Sequence, residues 1–62
     1  MSNKNITVMI ADDHVLMSEG IKQILELEKD IDVIAKAVDG EEAIERAIKY
    51  SPDVILLDIN MP

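Results

Sequence analysis

The chain has 62 residues, thirteen Asp and Glu against six Lys and Arg, a formal charge of −7, one tyrosine as its sole aromatic and no cysteine. That composition excludes disulfides and Cys-type zinc sites, a basic nucleic-acid face on this segment and an aromatic base-stacking platform. No stretch reaches the ~20 apolar residues of a membrane span, and the polar start MSNKN lacks the long apolar region of a signal peptide, so a single small cytoplasmic domain is expected.

In chain order, the first predicted element is a strand over 5–11. Ile6-Thr7-Val8-Met9-Ile10-Ala11 is apolar on both alternating faces apart from the threonine, the pattern of a parallel strand covered on both sides. It runs into Asp12-Asp13. A helix follows over 15–28, with Met17, Ile21, Ile24 and Leu25 on one stripe. Gly20 inside it costs ~1 kcal/mol against alanine and is expected to mark close packing on a neighbour. A second strand is expected over 33–38, interrupted by Lys36 as suits an edge position.

Asp39 is the expected N-cap of a second helix over 40–50. Glu42 completes a capping-box-like pattern, and Ala43, Ile44, Ala47 and Ile48 form the face to be buried. Two i,i+4 pairs, Glu42–Arg46 and Glu45–Lys49, are expected on the solvent side. Pro52 stops the helix. The last strand, over 53–57, is expected to be buried on both faces and runs into Asp58. The order β-α-β-α-β with right-handed crossovers makes the strands parallel, and a switch point, with one crossover going left to strand two and the next right to strand three, gives the spatial order 2-1-3.

If the first and third strands are neighbours ~4.8 Å apart, Asp12, Asp13 and Asp58 gather at the carboxyl edge, where open α/β sheets bind ligands. Three aspartates so close repel one another unless a cation compensates. Hard oxygen donors favour Mg²⁺, and one carboxylate of such a set can act as nucleophile and form an aspartyl phosphate. Single Asp residues after strands also serve as helix caps and turn formers, and spacing alone leaves both roles open. His14 beside the acids is read first as an exposed residue at a helix start, and second as a metal ligand or phosphate carrier.

The strand running into Asp12-Asp13, together with the apolar run into Asp58-Ile59-Asn60-Met61-Pro62, resembles the receiver domain of two-component response regulators. The wording IADDH…VDGEEAI…PDVILLDINMP is similar to the NarL/FixJ type, whose receivers precede a LuxR-like helix-turn-helix. The resemblance implies a flavodoxin-like (CheY-like) fold and a self-catalysed phosphoacceptor rather than an enzyme. Asp58 would accept the phosphoryl group from a histidine kinase. Asp13 would bind Mg²⁺ directly, Asp12 through water or by positioning, and Asn60 through its backbone carbonyl. Met61 and Pro62 would shape the following loop. The longer parent protein would be a DNA-binding transcription regulator.

Against the family pattern, a domain of about twice this length, the 62 residues cover the N-terminal half, 1–62 being read as a truncated receiver. The family's Ser or Thr after strand four and Lys after strand five have no counterpart. The far edge of the third strand is then open and apolar, which predicts self-association, for instance a homodimer joined strand to strand about a two-fold axis. Two other functions compete: a structural half-domain that folds and dimerises without phosphotransfer, and a hydrolase of the haloacid-dehalogenase type. The hydrolase ranks below the others because Asn60 stands where that pattern has its second carboxylate.

Overall fold

A computed structural model describes residues 5–58. Its elements are β1 (Ile6–Ala11), α1 (Val15–Leu25), β2 (Ile31–Ala37), α2 (Gly40–Tyr50) and β3 (Val54–Leu57). The sheet is parallel with the order β2-β1-β3, as expected from a switch point at β1. β1 is the central strand, and its Val8, Met9, Ile10 and Ala11 are the buried heart of the structure, joined by Ala37 of β2.

β1 meets β3 without irregularity from Val8↔Val54 to Ala11↔Leu57. Its ladder with β2 contains a bulge, because Val8 pairs with Val33 but Met9 pairs with Ala35, leaving Ile34 as the extra residue. The two helices line opposite faces. Ile10 and Leu56 share a groove with Met17 and Ile21 of α1, whereas Met9 and Ile55 share one with Ala43 and Ala47 of α2.

Several boundaries differ from the periodicity reading, each for a local reason. α1 stops at Leu25, not at 28, because Leu27 and Glu28 donate to the carbonyls of Ile24 and Leu25 and wind the chain into a tighter turn. β2 starts earlier, at Ile31, which pairs with Ile6. It ends at Ala37 because the Val38 N–H is claimed by the Glu42 carboxylate, 3.0 Å away. β3 starts at Val54, which pairs with Val8, and Asp53 before it is hydrogen-bonded to Thr7.

α2 is capped as expected. The Asp39 carboxylate accepts from the Glu42 N–H at 2.8 Å, and Glu42 reaches back to Val38, one residue before the cap. The helix ends on Ser51 in the left-handed region (φ 47°, ψ 57°), just before Pro52. The Glu42–Arg46 pair forms at 3.1 Å, while Lys49 lies 5.3 Å over the ring of Tyr50 instead of on Glu45. β2 is strapped at its edge by two further contacts: Lys36 reaches Glu19 of α1, and Arg46 of α2 donates to the Lys36 carbonyl.

Two burial expectations fail. β3 is not covered on both faces; all four of its residues are exposed, Leu57 at 58 %. Of the α1 stripe, Met17 and Ile24 are exposed, and on α2 so are Ile44 and Ile48. Both failures share one cause. β3 is an edge strand, so each helix packs mainly over β1 and β2 and overhangs a groove beside β3. Gly20 meets no close neighbour: a methyl group built there would have nothing within 4 Å.

Candidate functional site

The carboxyl ends of β1 and β3 carry the acids side by side. The Asp12 N–H donates to the Ala37 carbonyl at 2.9 Å and the Asp58 N–H to the Ala11 carbonyl at 3.0 Å, so both backbones continue the ladders one residue past the strands. Asp12 is 6 % exposed, Asp13 is exposed, and Asp58 lies between. One ligand atom from each of Asp12, Asp13, His14 and Asp58 lies within 4.8 Å of all the others. The juxtaposition of Asp12, Asp13 and Asp58 anticipated from the strand order is therefore present. Asn60, Met61 and Pro62 lie outside the described residues.

His14 stands at the N-cap of α1, an exposed helix start as its position suggests, with its side chain 65 % exposed. It makes no side-chain cap. Its backbone N–H instead donates to Asp12 Oδ1 at 2.8 Å, and its ring Nδ1 lies 3.1 Å from Asp12 Oδ1, 3.0 Å from Asp13 Oδ1 and 3.9 Å from Asp58 Oδ2. Ionised carboxylates only accept, so Nδ1 carries the hydrogen and donates.

The electrostatics follow from these contacts. The backbone hydrogen bond from His14, with its ring contact and charge, holds the Asp12 carboxyl below its ordinary 3.8 against the opposing effect of burial. The hydrogen bond to Asp12, with the charges of Asp13 and Asp12, raises the His14 imidazole above its ordinary 6.5.

The donor set suits a small hard cation. Three carboxylates converge from two adjacent chain segments, and their repulsion is met here only in part by one imidazole. An apolar groove of about 450 Å³ runs from the acids between α1 and β3, lined by Ile10, Met17, Ile21 and Leu56.

Sequence reasoning missed three features of the strands and turns that frame the site. Ser18 is buried and donates to the Val15 carbonyl at 2.9 Å, steadying the first turn of α1. Asp53, at the opposite end of β3, binds Thr7; a polar pair forty-six residues apart becomes visible only once strand register is known. The focal position of the His14 ring is likewise a consequence of the turn after β1, and its one sequence signal was adjacency to the two acids.

A family model described as "Response regulator receiver domain" matches residues 8–62. The chain is 50 % identical over 62 residues to the transcriptional regulatory protein DegU of Brevibacillus brevis, covering 100 % of this chain and 26 % of that protein. It is 53 % identical over 57 residues to a protein-glutamate methylesterase/protein-glutamine glutaminase of Carboxydothermus hydrogenoformans, covering 92 % of this chain and 16 % of the relative. Among solved structures, the signal receiver domain of a NarL response regulator from Mycobacterium tuberculosis superposes with a TM-score of 0.90 at 39 % identity, over 95 % of this chain and 48 % of that one. The chain thus spans about a quarter or less of these curated relatives and about half of the solved receiver domain.

Proposed function

The chain belongs to the response regulator receiver domain family, and from that membership we propose that Asp58 is the phosphoacceptor of a two-component signalling protein, served by a histidine kinase. The observation that carries this reading is the placement of Asp58 at the carboxyl end of β3 beside Asp12 and Asp13. In the proposed step, an Asp58 carboxylate oxygen attacks the phosphorus of a kinase phosphohistidine. The new O–P bond forms as the N–P bond breaks, and the electron pair stays with the departing imidazole.

Asp13 and Asp58 would hold Mg²⁺, with Asp12 binding through water or orienting the set, and the backbone carbonyl of Asn60 completing it. When bound, the ion supplies positive charge against the carboxylates and the incoming phosphoryl oxygens. The chain's own part is positional. The ladder bond from Asp58 to Ala11 sets the nucleophile's height, and the hydrogen bond from the His14 N–H orients Asp12.

The relative from Brevibacillus brevis is named as a transcriptional regulator, and we assign DNA contact in a longer protein to a segment other than this one, whose charge of −7 opposes phosphate. The methylesterase relative matches over 16 % of its own length, and we assign no hydrolytic activity to these residues. No helix among the described residues is long and apolar enough to cross a membrane; a cytoplasmic site of action is part of the same proposal.

The test is treatment with a small phosphodonor and Mg²⁺, read as the gain of one phosphoryl group by mass, with the label lost in Asp58→Ala. Mg²⁺-dependent labelling that survives Asp58→Ala would sink the assignment.

A second property has its own observation, the open β3 edge with its four exposed apolar residues. We propose that the 62-residue chain by itself associates through β3, whether or not Asp58 is phosphorylated. Sedimentation of the chain, alone and with Asp58→Ala, is expected to give more than one copy per particle in both cases. A monomer in both would remove the proposal.

A further inference from the structure

We infer that His14 is a removable plug in the acidic site: its imidazole occupies the carboxylate lone pairs that a divalent cation needs, and cation entry requires the ring to swing out. The inference rests on the metal reading of Asp12, Asp13 and Asp58 given above.

A single nitrogen, His14 Nδ1, faces three carboxylates, at 3.1, 3.0 and 3.9 Å from oxygens of Asp12, Asp13 and Asp58. This is the position a cation would be expected to take. The contact is also a donating one. Because the carboxylates only accept, the hydrogen sits on Nδ1, and that nitrogen has no lone pair in the ring plane to offer a metal. As placed, the imidazole is a competitor for the oxygens and not a ligand. Asp12 makes the competition acute. Its side chain is 7 % exposed, and its Oδ1 already accepts from both the His14 backbone N–H and the His14 ring. A Mg²⁺ ion on Asp13, or a water of its shell donating to Asp12, would draw on the same lone pairs as the Nδ1–H.

The plug can leave at little loss to the fold. The His14 side chain is 65 % exposed, it forms no helix cap, and the neighbouring Val15 and Leu16 are themselves exposed. Rotation about its side-chain bonds breaks hydrogen bonds to carboxylates and little else. In the empty site the ring counters the mutual repulsion of three acids. In the filled site that work passes to the cation.

The experiment measures Mg²⁺ affinity and thermal unfolding of the 62-residue chain, at one fixed pH, for the wild type, His14→Ala and His14→Phe. Losing one partly exposed, charge-assisted hydrogen-bonding group is expected to tighten Mg²⁺ binding by roughly five- to tenfold. His14→Phe keeps the bulk of a ring and removes the donor, and is expected to tighten binding as well. Without divalent cations both variants should melt below the wild type, and saturating Mg²⁺ should close the gap. Saturable binding that is unchanged or weaker in His14→Ala would overturn the plug and leave the metal reading standing. A Phe variant indistinguishable from the wild type would overturn the role of the Nδ1 donor. No saturable binding by any of the three chains would overturn the metal reading and the plug together.

Discussion

Asp53 and Asp58 stand at the two ends of one strand, β3, and their surroundings are opposite. At the amino end the Asp53 carboxylate accepts from the Thr7 N–H at 2.9 Å and the Thr7 hydroxyl at 3.1 Å, while its own N–H returns a bond to the Thr7 Oγ1. At the carboxyl end Asp58 is brought beside Asp12 and Asp13, with the His14 ring nitrogen 3.9 Å away. The same side chain is thus a register clamp at one end and a reactive candidate at the other. The amino edge of a parallel sheet offers N–H donors that satisfy a carboxylate. The carboxyl edge collects the loops after the strands, where this chain places further acids.

The largest expected effect separates the two ends by chemistry. Asp58→Ala should reduce phosphoryl acceptance to background, at least a hundredfold below wild type on the order of what removal of a reacting group causes, while Asp53→Ala should still be labelled. Equal loss in both variants would mean that strand placement, not the carboxylate, was being measured.

Stability should separate them in the reverse sense. Asp53→Ala deletes two charge-assisted hydrogen bonds at an exposed position and should lower unfolding free energy by ~1–2 kcal/mol in urea titrations. Asp58→Ala removes a hydrogen-bonding neighbour of Asp12 but also thins a crowded set of carboxylates, and should lower it less. A larger loss for Asp58→Ala would show that the carboxyl end is as structural as the amino end.

A substitution away from both ends sets the scale. Gly20 is helical, exposed and without close neighbours, so Gly20→Ala should stabilise the chain by ~0.5–1 kcal/mol without touching either aspartate. A loss of stability there would reveal a packing partner on α1.

The smallest effect is the pH dependence confined to the carboxyl end. His14 is raised above 6.5 by Asp12 and Asp13, so its contribution is whole below 6.5 and fades as pH rises through the folded-state value. Asp12 is held below 3.8, so its contribution is whole above 3.8 and fades as pH falls through its lower folded-state value. Urea midpoints against pH should therefore decline at the alkaline side in the wild type and not in His14→Ala. Parallel profiles for the two chains would count against the His14 contacts.

The path from residues to site was short where the information was local. The near-continuous apolar run Ile6–Ala11, the Asp39–Glu42 cap, the stop at Pro52 and the apolar run into Asp58 are all properties of neighbours in the chain, and each was readable with its physical cause. Burial was less legible. An apolar strand reads as covered on both faces whether or not anything packs on it, so Val54–Leu57 reads as buried and is exposed along its length. The same ambiguity put Ile24, Ile44 and Ile48 in a core that does not reach them.

By itself, the sequence determined the five elements, their parallel order 2-1-3 and the family to which the chain belongs, because periodicity, caps and the Asp12-Asp13…Asp58 spacing are written residue by residue. The tertiary structure alone decided which groups meet across the sheet. Register joined Thr7 to Asp53, a bulge at Ile34 shifted β2 along β1, and the turn after Ala11 set one imidazole nitrogen against three carboxylates. Those are distances between segments far apart in the chain, and they exist only once the strands have paired.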